Sequence, residues 1–140
     1  MLLFLKMKKN SFYTLFAIFV LVLSSCSSDC SKIVFKDGVS TLNGKLYTGD
    51  CESRWINKQL KSSQHYVDGK DDGEWLFYYI DGTIQTKAYF KEGVRIGKWE
   101  YFYENGMPWK VQTYDSLGNK TGKWKTFSEK GELIKTEIID

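Results

Sequence analysis

The sequence predicts an all-β fold: a meander of antiparallel β-hairpin repeats, about four units of 24 residues, forming one elongated twisted sheet behind an N-terminal targeting segment. Three observations lead there. The stretch GEWLFYYIDG from Gly73 is written twice more, as GKWEYFYENG from Gly97 and GKWKTFSEKG from Gly122. Glycines frame each copy at constant offsets: Gly69, Gly93 and Gly118 stand four residues before Gly73, Gly97 and Gly122, and Gly82, Gly106 and Gly131 stand seven after each tryptophan. Between the glycines the chain is rich in aromatic and β-branched residues that alternate with polar ones, which is the periodicity of strands rather than helices.

Residues 1–25 come first and read as a signal peptide. Lys8 and Lys9 precede an uncharged apolar run at 12–23 (FYTLFAIFVLVL), too short to span a bilayer as a helix but of the length of a signal-peptide core. Met7 opens a more regular signal peptide than Met1 does. The run ends in Leu23-Ser24-Ser25-Cys26, which resembles the bacterial lipobox. That resemblance implies cleavage ahead of Cys26 and acylation of its thiol, so that acyl chains hold the protein on a membrane. Residues 26–31 then become the acylated end and a short tether, and 32–140 the repeat domain. Ser27, where some inner-membrane lipoproteins carry Asp, implies sorting to the outer membrane of a Gram-negative cell. An uncleaved membrane anchor is the other reading of the same run.

Cleavage alters the charge balance. The chain has 20 Lys and Arg against 17 Asp and Glu, but Lys6, Lys8 and Lys9 lie ahead of Cys26, which leaves 17 of each sign. A neutral domain has no long-range field to draw it onto nucleic acid, so no nucleic-acid partner is expected. With Cys26 lipidated, Cys30 and Cys51 remain as an even pair in an exported setting. They are either bridged, which would stabilise by roughly 3 kcal/mol in the chain-entropy model, or two buried thiols.

The units follow. A strand is expected at 32–35, then a degenerate first unit from about residue 42. In it Gly44 and Gly49 hold the paired glycines, Cys51 takes the tryptophan position, and the turn Asn57-Lys58 lacks glycine. Terminal units of arrays are commonly atypical because one side has no neighbour. The next three units place Trp75, Trp99 and Trp124 fifteen residues ahead of Phe90, Tyr114 and Ile139, and these six are the expected core. Asp-Gly and Asn-Gly mark tight turns, and the glycine pairs mark a second tight loop where positive φ excludes a Cβ. One extra residue lies in the loop between Tyr114 and Gly118.

Strand alternation then sorts the side chains. Trp75, Phe77 and Tyr79 share one face, and Trp99, Tyr101 and Tyr103 share it in the next unit. The other face carries an aromatic row, Tyr78, Phe102 and Phe127, flanked by Lys98, Lys123 and Lys125. These six residues are the expected partner-binding set, since aromatic rings contribute large contact area at low entropy cost.

The repeat grammar, YVDGKDDGEWLFYYIDG, FKEGVRIGKWEYFYENG and YDSLGNKTGKWKTFSEKG within 66–139, with NGKLYTG at 43–49, resembles the MORN-repeat variant of the YwqK antitoxin-like family. The resemblance implies a scaffold or phospholipid-contacting array, or neutralisation of a toxin.

Motifs that suggest catalysis dissolve on inspection. GNKTGKW and GVRIGKW have three residues between glycines, not the four of a P-loop, and Glu74 replaces the lysine in the sibling repeat. His65 is the single histidine, and no Cys or His cluster has zinc spacing. Asp71, Asp72 and Glu74 could hold calcium or be merely solvated, and Asp115-Ser116-Leu117 resembles an O-glycosylation signal or is an ordinary turn. The expectation is a lipid-anchored, non-enzymatic envelope protein without cofactor or metal. Its partner would be an unidentified envelope protein. A glycan, a phospholipid head group and a toxin are the alternatives.

Overall fold

The computed structural model describes residues 27–140; Cys26 and the whole targeting segment lie outside the described residues. The described chain is all-β, apart from one 3-10 turn at Cys30–Lys32 that Asp29 caps by accepting the Ser31 amide. That turn follows β1 (Ser28–Asp29). Then come β2 (Ile33–Lys36), β3 (Val39–Leu42) and β4 (Lys45–Leu46). The first repeat hairpin is β5 (Gly49–Arg54) and β6 (Leu60–Val67), followed by the short β7 (Lys70–Asp71). The second is β8 (Gly73–Tyr78) and β9 (Ile84–Lys91), followed by β10 (Val94–Arg95). The third pairs β11 (Gly97–Phe102) with β12 (Pro108–Tyr114), and the fourth β13 (Lys120–Phe127) with β14 (Leu133–Ile139).

The main sheet runs β1-β5-β6-β8-β9-β11-β12-β13-β14, with β7 on β6 and β10 on β9, and is antiparallel except where β1 meets β5. The strand expected at 32–35 forms one residue later and does not join this meander. Instead β2, β3 and β4 make a separate three-stranded sheet. The cause is local: Asp37-Gly38 and Asn43-Gly44 each have positive φ at two successive residues, as in a type I′ turn, so the chain doubles back twice before reaching β5.

Two turn types punctuate each repeat. At the hairpin tips, Gly82, Gly106 and Gly131 donate their amides to Tyr79, Tyr103 and Ser128, and these residues in turn bond across to the carbonyls of Thr83, Met107 and Glu132. Only the glycine has positive φ, so each tip is a three-residue loop closed by a left-handed residue. Lys58 accepts the same conformation, φ 69°, in the glycine-free first unit. Asn57, Asp81 and Asn105 brace their tips by accepting the backbone N–H two residues on. The return loops at Asp68-Gly69 and Glu92-Gly93 are two-residue turns with positive φ at both positions. A Cβ on Gly69 would lie 2.8 Å from the Ser40 carbonyl oxygen, so glycine is required there by close approach as well as by φ. The extra residue after Tyr114 converts the third return loop into the tip type, with Gly118 bonded to Asp115.

Every hairpin also holds a bulge on its return strand. Tyr101 faces Lys110 while Phe102 faces Pro108, and the other three hairpins repeat the shift. The inserted residues are Lys61, Gln85, Trp109 and Ile134.

The core is a ladder of rings on one face of the main sheet. Ring centroids follow one another strand by strand: Tyr47–Tyr66 5.7 Å, Tyr66–Trp75 5.2 Å, Trp75–Phe90 4.8 Å, Phe90–Trp99 5.1 Å, Trp99–Tyr114 5.6 Å and Tyr114–Trp124 5.7 Å. Strands lie about 4.8 Å apart, so one ring per strand brings neighbours into contact without further adjustment. Each such pair contributes about 0.5–1.5 kcal/mol beyond its burial. Each ladder tryptophan then anchors itself to the previous hairpin: the indole N–H groups of Trp75, Trp99 and Trp124 donate to the carbonyls of His65, Tyr89 and Thr113 at 3.0, 3.2 and 3.2 Å. Arg95 lies over the Trp99 ring and Lys120 over Trp124, each at 5.0 Å, covering the ladder with cations. Ile139 packs on its far end.

At the near end Cys51 stands in the tryptophan position, fully buried and bridged to Cys30, with Cα atoms 5.0 Å apart. The bridge joins the N-terminal segment to the first unit, and Ile33 and Leu42 of the small sheet pack on the same cluster. Burial, reinforced by the facing carboxylate of Asp71, pushes the Tyr66 phenol up to about 12.

Replacing Trp99 with Ala is expected to cost about 3–5 kcal/mol in urea unfolding, since it removes three ring contacts and an interstrand bond together. Reducing the bridge, or replacing both Cys30 and Cys51 with Ser, is expected to lower stability by about 3 kcal/mol in the same measurement. Because the Tyr66 pKa is raised on folding, its contribution is complete below pH about 10 and is lost as pH climbs towards about 12. In a titration of phenolate absorbance, Tyr66→Phe should remove the step at highest pH.

Candidate functional site

The partner-binding set lies on the face opposite the ring ladder. Tyr78, Phe102 and Phe127 end β8, β11 and β13, and all three are half-buried. They occupy equivalent positions but do not form a contacting stack: among the described residues, no ring pair includes any of them. The reason is strand count. A return strand intervenes between successive units, so these rings recur at about 10 Å, twice the strand spacing. Cross-strand partners Ile84, Pro108 and Leu133 sit beside them at the bulges.

The backbone under this row is held from the preceding unit. Trp55 donates its indole N–H to the Tyr78 carbonyl at 3.1 Å, Tyr79 its hydroxyl to Phe102 at 2.7 Å, and Tyr103 its hydroxyl to Phe127 at 2.9 Å. Asn57 and Asn105 add amide bonds to the carbonyls of Ile80 and Glu129. Each tip therefore clasps the next one, and the three rings are fixed relative to one another through the backbone rather than by mutual contact.

The lysines flank the row with mixed charge around them. Lys98 is exposed and ion-paired to Glu100 at 2.8 Å. Lys123 lies across from Ile138, and Lys125 between Val111 and Thr136, both exposed. Lys87 faces Leu76 on one side and Glu100 on the other. Burial, then the carboxylates of Glu74 and Glu52, pushes the Tyr78 phenol up, while a 2.6 Å bond to Glu74 raises Tyr89. Both phenols are neutral at physiological pH, and the face bears both signs, lysine and glutamate from β8 to β11 and lysine alone on β13.

Sequence reasoning passed over Trp109. It is 45% exposed and packs against Tyr101 and Tyr103, with centroids 6.0 and 6.2 Å away. Its signal was a departure from the repeat, because the equivalent bulge positions hold Lys61, Gln85 and Ile134. A hollow of about 320 Å³ lies between the neighbouring tips, lined by Tyr79, Tyr103, Glu104, Asn105 and Glu129. A larger one, about 740 Å³, lies beside Ser27 and Ser28, with Arg54 and Lys61 on its wall.

The other residues singled out from sequence are held in local structure. His65 Nδ1 lies 2.6 Å from Asp50 Oδ1. Asp72 accepts the Glu92 amide and pairs with Lys91 at 3.1 Å, which lowers its pKa, whereas burial raises that of Asp71. Glu74 is engaged by Tyr89. Among the described residues no three His, Cys, Asp or Glu side chains converge on a metal-sized site. Asp115 accepts from Leu117 and from Asn119, which makes Asp115-Ser116-Leu117 the start of a braced turn.

The arrangement is thus suited to contact over a broad, rigid surface. No curated protein matches the chain. The family model described as MORN repeat variant matches residues 71–92 and 95–116, which are the second and third hairpins with the loops that enter them. Residues 71–116 therefore carry two MORN-variant repeats, and the first and fourth hairpins share their register shift.

Proposed function

We propose that the chain is a non-enzymatic protein anchored to the cell envelope by acyl chains on Cys26, and that its repeats hold a second envelope protein. The observation that carries this reading is the row of Tyr78, Phe102 and Phe127, rings half-open to solvent on a backbone clasped from unit to unit. Rigid aromatic side chains lose little entropy on binding, and charges of both signs around them favour a protein surface over an anionic bilayer. Lipobox-like residues ahead of Cys26 support the anchor, and Ser27 supports outer-membrane sorting. The resemblance to the YwqK antitoxin-like family makes a toxin one form such a partner could take.

A glycan or lipid head group is the second reading, favoured by the exposed lysines Lys123 and Lys125 beside the same rings. Purified chain with Tyr78→Ser and Phe102→Ser together should stay folded, with its unfolding free energy lowered by about 1–3 kcal/mol, because both rings are half-buried but neither belongs to the ladder. It should lose the neighbours that crosslinking and mass spectrometry identify for the wild type in intact cells. Unchanged neighbours from a folded variant would remove this face from the proposal. Binding of the wild type to vesicles or peptidoglycan, abolished by the same changes, would favour the second reading.

A further inference from the structure

The two edges of the main sheet are treated differently. At one, β1, the Cys30–Cys51 bridge and the small sheet cover the first hairpin. At the other, β14 has no strand beyond it among the described residues, and Leu133, Ile134 and Ile138 are 56%, 65% and 70% exposed. An apolar strand with a free edge is a template for pairing, and natural sheets normally blunt it; the bulge at Ile134 does so at the start of β14 and leaves residues 135–139 regular.

The order of residues in β14 names a partner. Read outward from Thr136, the regular part of the strand is self-complementary: Lys135 mirrors Glu137, the two being ion-paired at 2.9 Å within one copy. The pattern ends at the bulge on Ile134, beyond which Leu133 lies on the face opposite to Ile139. We propose that two copies of this chain join through β14, antiparallel, about a two-fold axis at Thr136, to form one continuous sheet. Lys135 of each copy then lies opposite Glu137 of the other, and Thr136 opposite Thr136. Antiparallel partners must share a face, so the register can slip only in steps that move the axis by one whole residue. Moving it to residue 135 sets lysine against lysine, and moving it to 137 sets glutamate against glutamate. Charge therefore selects the Thr136 register from its neighbours.

The fourth unit also ends the array chemically. Ser128 stands where Trp55, Tyr79 and Tyr103 reach forward to the next hairpin, and its Oγ instead accepts the amides of Lys130 and Glu132 in its own turn. A further hairpin added head to tail would find no clasp, and the opposite edge it would need on another copy is covered. The closed two-fold arrangement needs neither. It uses only the backbone edge, so it stands or falls separately from the aromatic row.

The test uses the full-length chain in detergent, with mass read by light scattering across a dilution series. The wild type should be a dimer that dissociates on dilution. Lys135→Glu alone and Glu137→Lys alone should each weaken it by about tenfold or more, since two cross-strand attractions become repulsions. Mixing the two variants should restore pairing, as should Lys135→Glu with Glu137→Lys in one chain. The double exchange conserves composition and charge, so it keeps the test decisive if a single reversal fails to fold by circular dichroism. A wild type that stays monomeric up to about 0.5 mM, or a dimer indifferent to the reversals, would overturn the proposal.

Discussion

The structure depends on one contact repeated: from β6 to β13, a ring on each long strand touching the ring on the next, with the N–H groups of Trp75, Trp99 and Trp124 bonded back to the preceding hairpin. The main sheet has no helix laid on it among the described residues. In such a sheet, burial must come from side chains lying over one another along the face. Rings are the side chains large enough to do this at the strand spacing. Trp99 and Trp124 reach 7% exposure by that means, helped by Arg95 and Lys120 above them.

A ladder of this kind has two ends, and the protein resolves them in opposite ways. At the first unit the tryptophan gives way to Cys51, and a covalent bridge to Cys30 replaces the missing neighbour. Tyr47 and Tyr66 continue the rings up to that bridge. At the last unit the rings stop at Trp124, with Ile139 packed beyond it, and among the described residues no strand pairs with the outer edge of β14. The capped end is also the one beside Ser27, next to the expected acyl anchor.

The proposed binding face lies where the repeat is not consumed by its own core. The face with Tyr78, Phe102 and Phe127 presents rings that the strand spacing prevents from touching each other, so their exposed edges remain available. The clasps from Trp55, Tyr79 and Tyr103 fix their backbone at a cost of no additional residues, because each clasping side chain belongs to the preceding copy. Trp109, the one bulge position with an indole, breaks the equivalence of the units and gives the array a distinguishable middle.

Much of this was legible in the chain. The glycine offsets and the alternation of Trp75, Phe77 and Tyr79 determine hairpins, their turns and the buried face, because positive φ and side-chain period are local properties of backbone and residue type. The extra residue after Tyr114 was visible as well, though not that it would exchange one turn type for another. Tertiary structure decided what depends on distance between strands. It settled the choice between a bridge and free thiols at Cys30 and Cys51 and folded 33–46 into a sheet of its own. It made a contacting ladder of one aromatic row and a spaced series of the other. Both rows share one period in sequence; they differ because return strands contribute Phe90 and Tyr114 to the buried row, while at Tyr78, Phe102 and Phe127 they contribute Ile84, Pro108 and Leu133.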